Sequence, residues 1–234
     1  MSESDKIAGL RSLIQARIAR DRLSSEQLAQ LPIDDVTFWV VDVETTGDRD
    51  RDRIIEVAAI KVREGEMQRV ISTLVNPGRL ISLFSHNLTG ITNGMIVAAP
   101  APGEVYPWLF SHLKNGVFVA HRASFDRAFI DLEARLLGLK ELNIPTLDTV
   151  KLSRRLIHDL PGYSLDHLAS CFGLEFGIAS SPSSRHRALG DAWVCARAFI
   201  SLLELAKKIG LRTFAELSEL EAMPLRKAKN LWRI

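Results

Sequence analysis

The chain has 234 residues, 47% hydrophobic and 25% charged, which suits one α/β domain with extensions and a core that needs no disulfide or structural metal. With 30 Lys and Arg against 28 Asp and Glu, the net charge of +2 does not point to nucleic acid, so such a partner has to be argued from a site. No apolar stretch reaches the roughly 18 residues of a membrane span, and the polar start MSESDKIAGLRSLIQARIAR does not read as a secretory signal. Cys171 and Cys195 match no metal-ligand spacing and are expected as buried, reduced thiols of a cytoplasmic protein.

In chain order, Ile7, Leu10, Ile14 and Ile18 share one helix face, and Ser24 with Gln27 makes a capping box for a second short helix. Residues 1–34 are therefore expected as a helical extension, packed on the main domain or on a partner. The main domain is expected over residues 35–210. It opens with strands at Thr37–Val43, Arg53–Val62 and Gln68–Val75, whose short links predict a meander. The alternating charges of Asp48–Arg53 read as a solvated turn. A loop-rich stretch over 77–103 leads to a helix at 103–114, a strand at 117–120, a helix at 124–138 and a strand at 145–148. Helices at 149–158, 164–172 and 186–209 follow. This order predicts an α/β fold, a mixed five-stranded sheet flanked by helices. Residues 211–234 read as a C-terminal tail with the basic set Arg226, Lys227, Lys229 and Arg233.

Five side chains carry the chemistry. Asp42 and Glu44 close the apolar run Phe38–Val41, and their i, i+2 spacing puts both on one face of a strand. Two carboxylates there are unfavourable unless a cation neutralises them. Thr45-Thr46-Gly47 adds hydroxyls, backbone donors and a flexible glycine, able to hold a terminal nucleotide. Asp126 falls in the first turn of a helix that follows another strand. His186 and Asp191, five residues apart, would stand roughly 140° apart on a regular helix. His186 is therefore expected on a mobile approach to the helix, after the small polar run Ser180–Ser184, with Asp191 in its first turns. Four carboxylates and a histidine on separate elements are what a two-metal phosphodiester-cleaving site needs, with the imidazole as general base. Glu56 and Asp148 lack the partners that raise the chosen set and are left outside it; His121 reads as structural.

DVETTG, HRASFDRAF and HRALGDA resemble the three motifs of the DEDDh exonucleases, a DnaQ-like family with the ribonuclease H-like fold. The resemblance covers about residues 36–206, and its ETTG wording is similar to the epsilon proofreading subunit of DNA polymerase III. It implies two divalent ions, Mg²⁺ or Mn²⁺, with Asp42 between them and Glu44, Asp126 and Asp191 completing their shells. His186 would take the proton of the attacking water. LTGITNGM looks like a substrate-side loop, which adds Thr89 to Thr45 and Thr46 as terminal-nucleotide contacts. The implied activity is 3′–5′ release of nucleoside 5′-monophosphates from single-stranded DNA ends, in proofreading or repair. A polymerase or repair protein could dock on the terminal extensions. The residues leave two alternatives open: trimming of RNA 3′ ends, or a catalytically silent nucleic-acid-binding module.

Overall fold

A computed structural model describes residues 23–47, 51–176 and 185–231. The expected helix over 5–22 and the small-residue approach at 180–184 lie outside the described residues. Five strands, β1 (Phe38–Thr45), β2 (Ile54–Arg63), β3 (Glu66–Leu74), β4 (Val117–Ala120) and β5 (Thr146–Asp148), form one sheet in the order β3-β2-β1-β4-β5. β1, β2 and β3 pair antiparallel, whereas β4 pairs parallel to both β1 and β5. The mixed five-stranded sheet expected from the residue pattern is therefore present.

The helices are α1 (Ser25–Gln30), α2 (Leu83–Thr89), α3 (Asn93–Val97), α4 (Pro102–Leu113), α5 (Ala123–Leu136), α6 (Thr149–Leu156), α7 (Leu165–Phe172), α8 (Ala188–Lys208), α9 (Phe214–Ala222) and α10 (Leu225–Leu231). They cover both faces of the sheet. Phe38 and Val40 of β1 join Leu152, Leu165, Phe199 and Phe214 on one side. Trp39, Val41 and Val43 join Leu109, Leu113, Phe129 and Ile130 on the other. A central strand buried on both faces explains why β1 starts as an unbroken apolar run. Burying each large side chain contributes about 1.5–3 kcal/mol. Among the described residues, no helix is long and apolar enough to cross a membrane.

Three departures from the sequence reading follow from local chemistry. Residues 81–97 are not simply loop: Ser82 and Thr92 accept from the Ser85 and Met95 amides at 3.1 and 3.2 Å, capping α2 and α3. Gly90, at φ 70°, ends α2 in the left-handed conformation that glycine adopts without a Cβ clash. Ile81, Ile91 and Ile96 then pack on Ile55 of β2. The stretch 211–231 is likewise built rather than trailing. Phe214 N–H donates to Leu31 O at 3.0 Å and Ile33 N–H to Arg212 O at 2.8 Å, tying α9 to the segment after α1. Finally, Cys195 is buried as expected but Cys171 is exposed.

Candidate active site

Asp42 and Glu44 lie two residues apart on β1, so both project from the face that α8 covers. The strand runs on to Thr45, placing both acids inside the ladder, with Asp42 opposite Ala58 and Glu44 opposite Glu56. Asp191, in the first turn of α8, faces them. One carboxylate oxygen from each of Asp42, Glu44 and Asp191 falls within 4.8 Å of the others.

Asp126 arrives from the opposite layer. β4 pairs with β1 at Phe38, Trp39 and Val40 and ends at Ala120. Beyond that pairing, Asp126 Oδ1 accepts from Val43 N–H at 3.1 Å, taking the role of a strand acceptor. Its carboxyl therefore sits against the backbone between the first two acids. Asp148, left outside the set, is a scaffold: it accepts from Val150 N–H at 2.8 Å to cap α6, and from Ala123 N–H at 3.2 Å to hold the start of α5.

Burial and mutual repulsion push the acids up. Burial raises Asp42 well above the usual carboxylate range, followed by the charges of Asp126, Asp191 and Glu44. Glu44 is raised to about 8 by burial, then by Asp191, Glu56 and Asp126. Asp126 rises to about 8, again chiefly from burial. Asp191 rises only to about 6, because Arg185 opposes the desolvation.

Arg185 is the residue that sequence reasoning missed. Its Nη1 donates to Asp191 Oδ2, while Nε and Nη2 each donate to Asp166 at 3.0 Å. Its guanidinium also lies 5.0 Å over the Phe176 ring. A basic residue just before HRALGD, set against four acids, was the available signal. Asp191 Oδ1 is buried and has no hydrogen-bond partner. An orphaned carboxylate oxygen beside two more acids is costly in a protein interior. The donor set is all oxygen and carries excess negative charge, which fits hard divalent cations such as Mg²⁺ or Mn²⁺.

His186 stands just outside α8, half-buried, at φ 60°. Burial and then the charge of Arg185 lower its pKa, which keeps the imidazole neutral and able to accept a proton. His121 bonds Thr149 Oγ1 at 2.9 Å through Nδ1, and burial lowers it to about 4, in keeping with a structural role.

The three threonines divide. Thr45 lines a groove of about 210 Å³ with Glu44, Gly47, Phe84, Leu88 and Phe125. Phe84, Leu88 and Phe125 are exposed there. Thr46 is buried and its hydroxyl donates to Asp52 Oδ1 at 2.8 Å. Thr89 is buried too, donating to Ser85 O at 2.9 Å and accepting from Ile91 N–H at 3.1 Å. Thr45 is buried as well and its hydroxyl donates to Gly47 O at 2.5 Å, so all three hydroxyls have partners inside the protein, and of the three only Thr45 lines the groove. A larger cavity of about 740 Å³, lined by Leu28, Thr37, Gly116 and Pro145, lies at the other end of the parallel strands. It is remote from the acids, so chemistry rather than size locates the site.

A family model described as Exonuclease, of the RNase T type, matches residues 39–199. The DNA polymerase III subunit epsilon of Aquifex aeolicus is 37% identical over 189 residues, covering 80% of this chain and 91% of that protein. An epsilon-like protein of Rhodobacter capsulatus is 40% identical over 191 residues, covering 80% of this chain. A PolC-type DNA polymerase III of Caldanaerobacter subterraneus is 40% identical over 182 residues, covering 77% of this chain. The chain spans 26% of the length of the Rhodobacter protein and 12% of the PolC-type protein. Exonuclease X in complex with 5′ overhanging duplex DNA superposes with a TM-score of 0.61 at 28% identity, covering 79% of this chain and 99% of that one. The nuclease domain of 3′hExo, a DEDDh family member bound to rAMP, shares the fold with a TM-score of 0.60 at 18% identity, over 72% of this chain and 92% of that one. The chain belongs to the DEDDh exonuclease family, with DNA polymerase III epsilon and PolC-type proteins among its relatives.

Proposed function

We propose that this protein is a metal-dependent 3′–5′ exonuclease that releases nucleoside 5′-monophosphates from DNA ends. The observation that carries the reading is the convergence of Asp42, Glu44 and Asp191, with the buried Oδ1 of Asp191 lacking a partner. Asp42, Glu44, Asp126 and Asp191 would hold two divalent ions, Mg²⁺ or Mn²⁺. When bound, such ions polarise the scissile phosphate and offset charge on the attacking and leaving oxygens.

The chain's own groups do the rest. His186 Nδ1 or Nε2 accepts the proton of the attacking water, a role its lowered pKa favours. Phe84, Leu88 and Phe125 offer apolar surface to the terminal base, and Thr45 closes the groove beside Glu44. Val43 N–H holds Asp126 in place so that its other oxygen can face the acids. A polymerase or repair protein is the proposed partner, as the name of the epsilon relative suggests.

The test is a time course on 5′-labelled single-stranded DNA and RNA with Mg²⁺, Mn²⁺ or chelator. A ladder shortening from the 3′ end of DNA, abolished by chelator, is expected. Faster digestion of RNA would move the substrate to RNA, and no metal-dependent release from either would leave a binding module. The Asp42→Ala and Asp126→Ala variants should fold and be inactive; His186→Ala should bind metal and be much slower.

A further inference from the structure

His186 is flanked by two arginines with different anchors. Arg185 reaches Asp191 and Asp166, whereas Arg187 turns to the sheet. Arg187 Nε and Nη2 donate to the two oxygens of Glu56 at 2.9 and 2.6 Å, the planar fork that only a guanidinium forms. The same carboxylate accepts from Ala188 N–H, the first amide of α8, at 3.0 Å. Glu56 is 3% exposed and sits on β2 directly across from Glu44.

One buried carboxylate thus grips both the residue after His186 and the start of the helix that carries Asp191. The grip passes further through the backbone: Arg187 O accepts from Asp191 N–H at 3.0 Å. His186 itself is left-handed at φ 60°, a conformation that the Cβ of a non-glycine residue disfavours. Such a residue keeps that conformation only where its neighbours over-determine it. A plain helix cap needs a single acceptor. Here Oε2 of Glu56 takes both the Ala188 N–H and Arg187 Nε, and Oε1 takes Arg187 Nη2, so one carboxylate holds the residue after His186 through its side chain and the helix start through its backbone.

We infer that Glu56 and Arg187 form a positioning clamp that fixes the left-handed turn at His186 and aims its imidazole at the acids. Neither residue touches reacting atoms; they act through His186. The inference rests on the nuclease reading for its kinetic consequence, but the clamp itself is a conformational property of the chain.

The experiment uses Arg187→Gln, Arg187→Lys and Glu56→Gln, each alone and combined with His186→Ala. Exonuclease kcat and KM, melting temperature, Mn²⁺ binding and the backbone chemical shifts of His186 are measured. Removing the clamp is expected to lower kcat by about 10–100-fold, the usual scale for groups that orient a site residue. KM and Mn²⁺ affinity should stay within about threefold of the parent, and His186 shifts should leave their left-handed values. In the His186→Ala background the same substitutions should cost less than about threefold, because residues acting as a unit are not additive.

Equal fractional losses with and without His186, or unchanged His186 shifts, would overturn the clamp. Arg187→Lys keeps charge and bulk, so it carries the test if Arg187→Gln does not fold. Absence of nuclease activity in the parent would instead remove the functional reading, while the His186 shifts would still decide the clamp.

Discussion

Arg185 donates to Oδ2 of Asp191, while Oδ1 of the same carboxylate is buried without a partner. One half of this acid is thus held by an internal cation and the other half is available to a ligand. A dication that uses Asp191 fully must compete with the guanidinium.

Arg185→Gln should therefore raise Mn²⁺ affinity. Losing a charge-assisted contact of about 1–1.5 kcal/mol that metal binding must break corresponds to roughly five- to tenfold. The metal-free variant should also melt lower than the parent, because the acids lose their resident counter-charge. Calorimetric Mn²⁺ titration decides the point; equal or weaker binding by the variant rules out competition.

Asp42 is pushed up by burial and by three neighbouring acids, so its charge opposes folding when no metal is present. Asp42→Asn is expected to raise the metal-free melting temperature by about 2–6 °C while abolishing nuclease activity. A variant that melts at or below the parent temperature in chelator would show that the cluster is not under electrostatic strain.

The pH dependence has two contributions of opposite sign. Glu44 and Asp126 are raised to about 8 and Asp191 to about 6, above their unfolded values, so the folded chain keeps protons that the unfolded chain has released. That contribution is complete below the unfolded carboxylate values of 3.8 to 4.5 and is lost as pH rises from there through about 6 for Asp191 and about 8 for Glu44 and Asp126. His121 is lowered from 6.5 to about 4, so the unfolded chain takes up the proton first and stability falls as pH drops across that window. Three raised carboxylates outweigh one lowered histidine, so metal-free melts should fall from about pH 4 to 8, and His121→Gln should steepen that fall below pH 6.5 alone. Saturating Mn²⁺ should abolish the decline that the carboxylates cause, with proton release on binding at pH 7.

Leu217 of α9 is fully buried in the core that contains Phe38 and Phe199. Leu217→Ala should cost about 2–4 kcal/mol, as a cavity in the main core rather than a change in an appended tail. Denaturant unfolding with a single transition is the measurement. A loss below about 0.5 kcal/mol, the scale of surface substitutions, would mean that α9 is peripheral.

Much of the site was legible because its signals are local. The apolar run before Asp42, the i, i+2 step to Glu44 and the first-turn placement of Asp126 are properties of single elements. The five-residue step from His186 to Asp191 also resolved itself, since a regular helix cannot point both the same way and the histidine stays outside α8. The helices α2 and α3, seven and five residues long, were not legible because so few residues show no period.

The sequence alone singled out the five candidate residues and determined the order of strands and helices, because period, capping and apolar runs are written within each segment. Only the tertiary structure decided how they are held. Glu56 and Arg187 are 131 residues apart, and Arg185 meets Asp166 and Asp191 from a turn. Thr46 and Thr89 turn inward because partners at Asp52 and Ser85 take their hydroxyls. A buried polar group must find its partner wherever the fold brings one within reach, and no local pattern records which one that is.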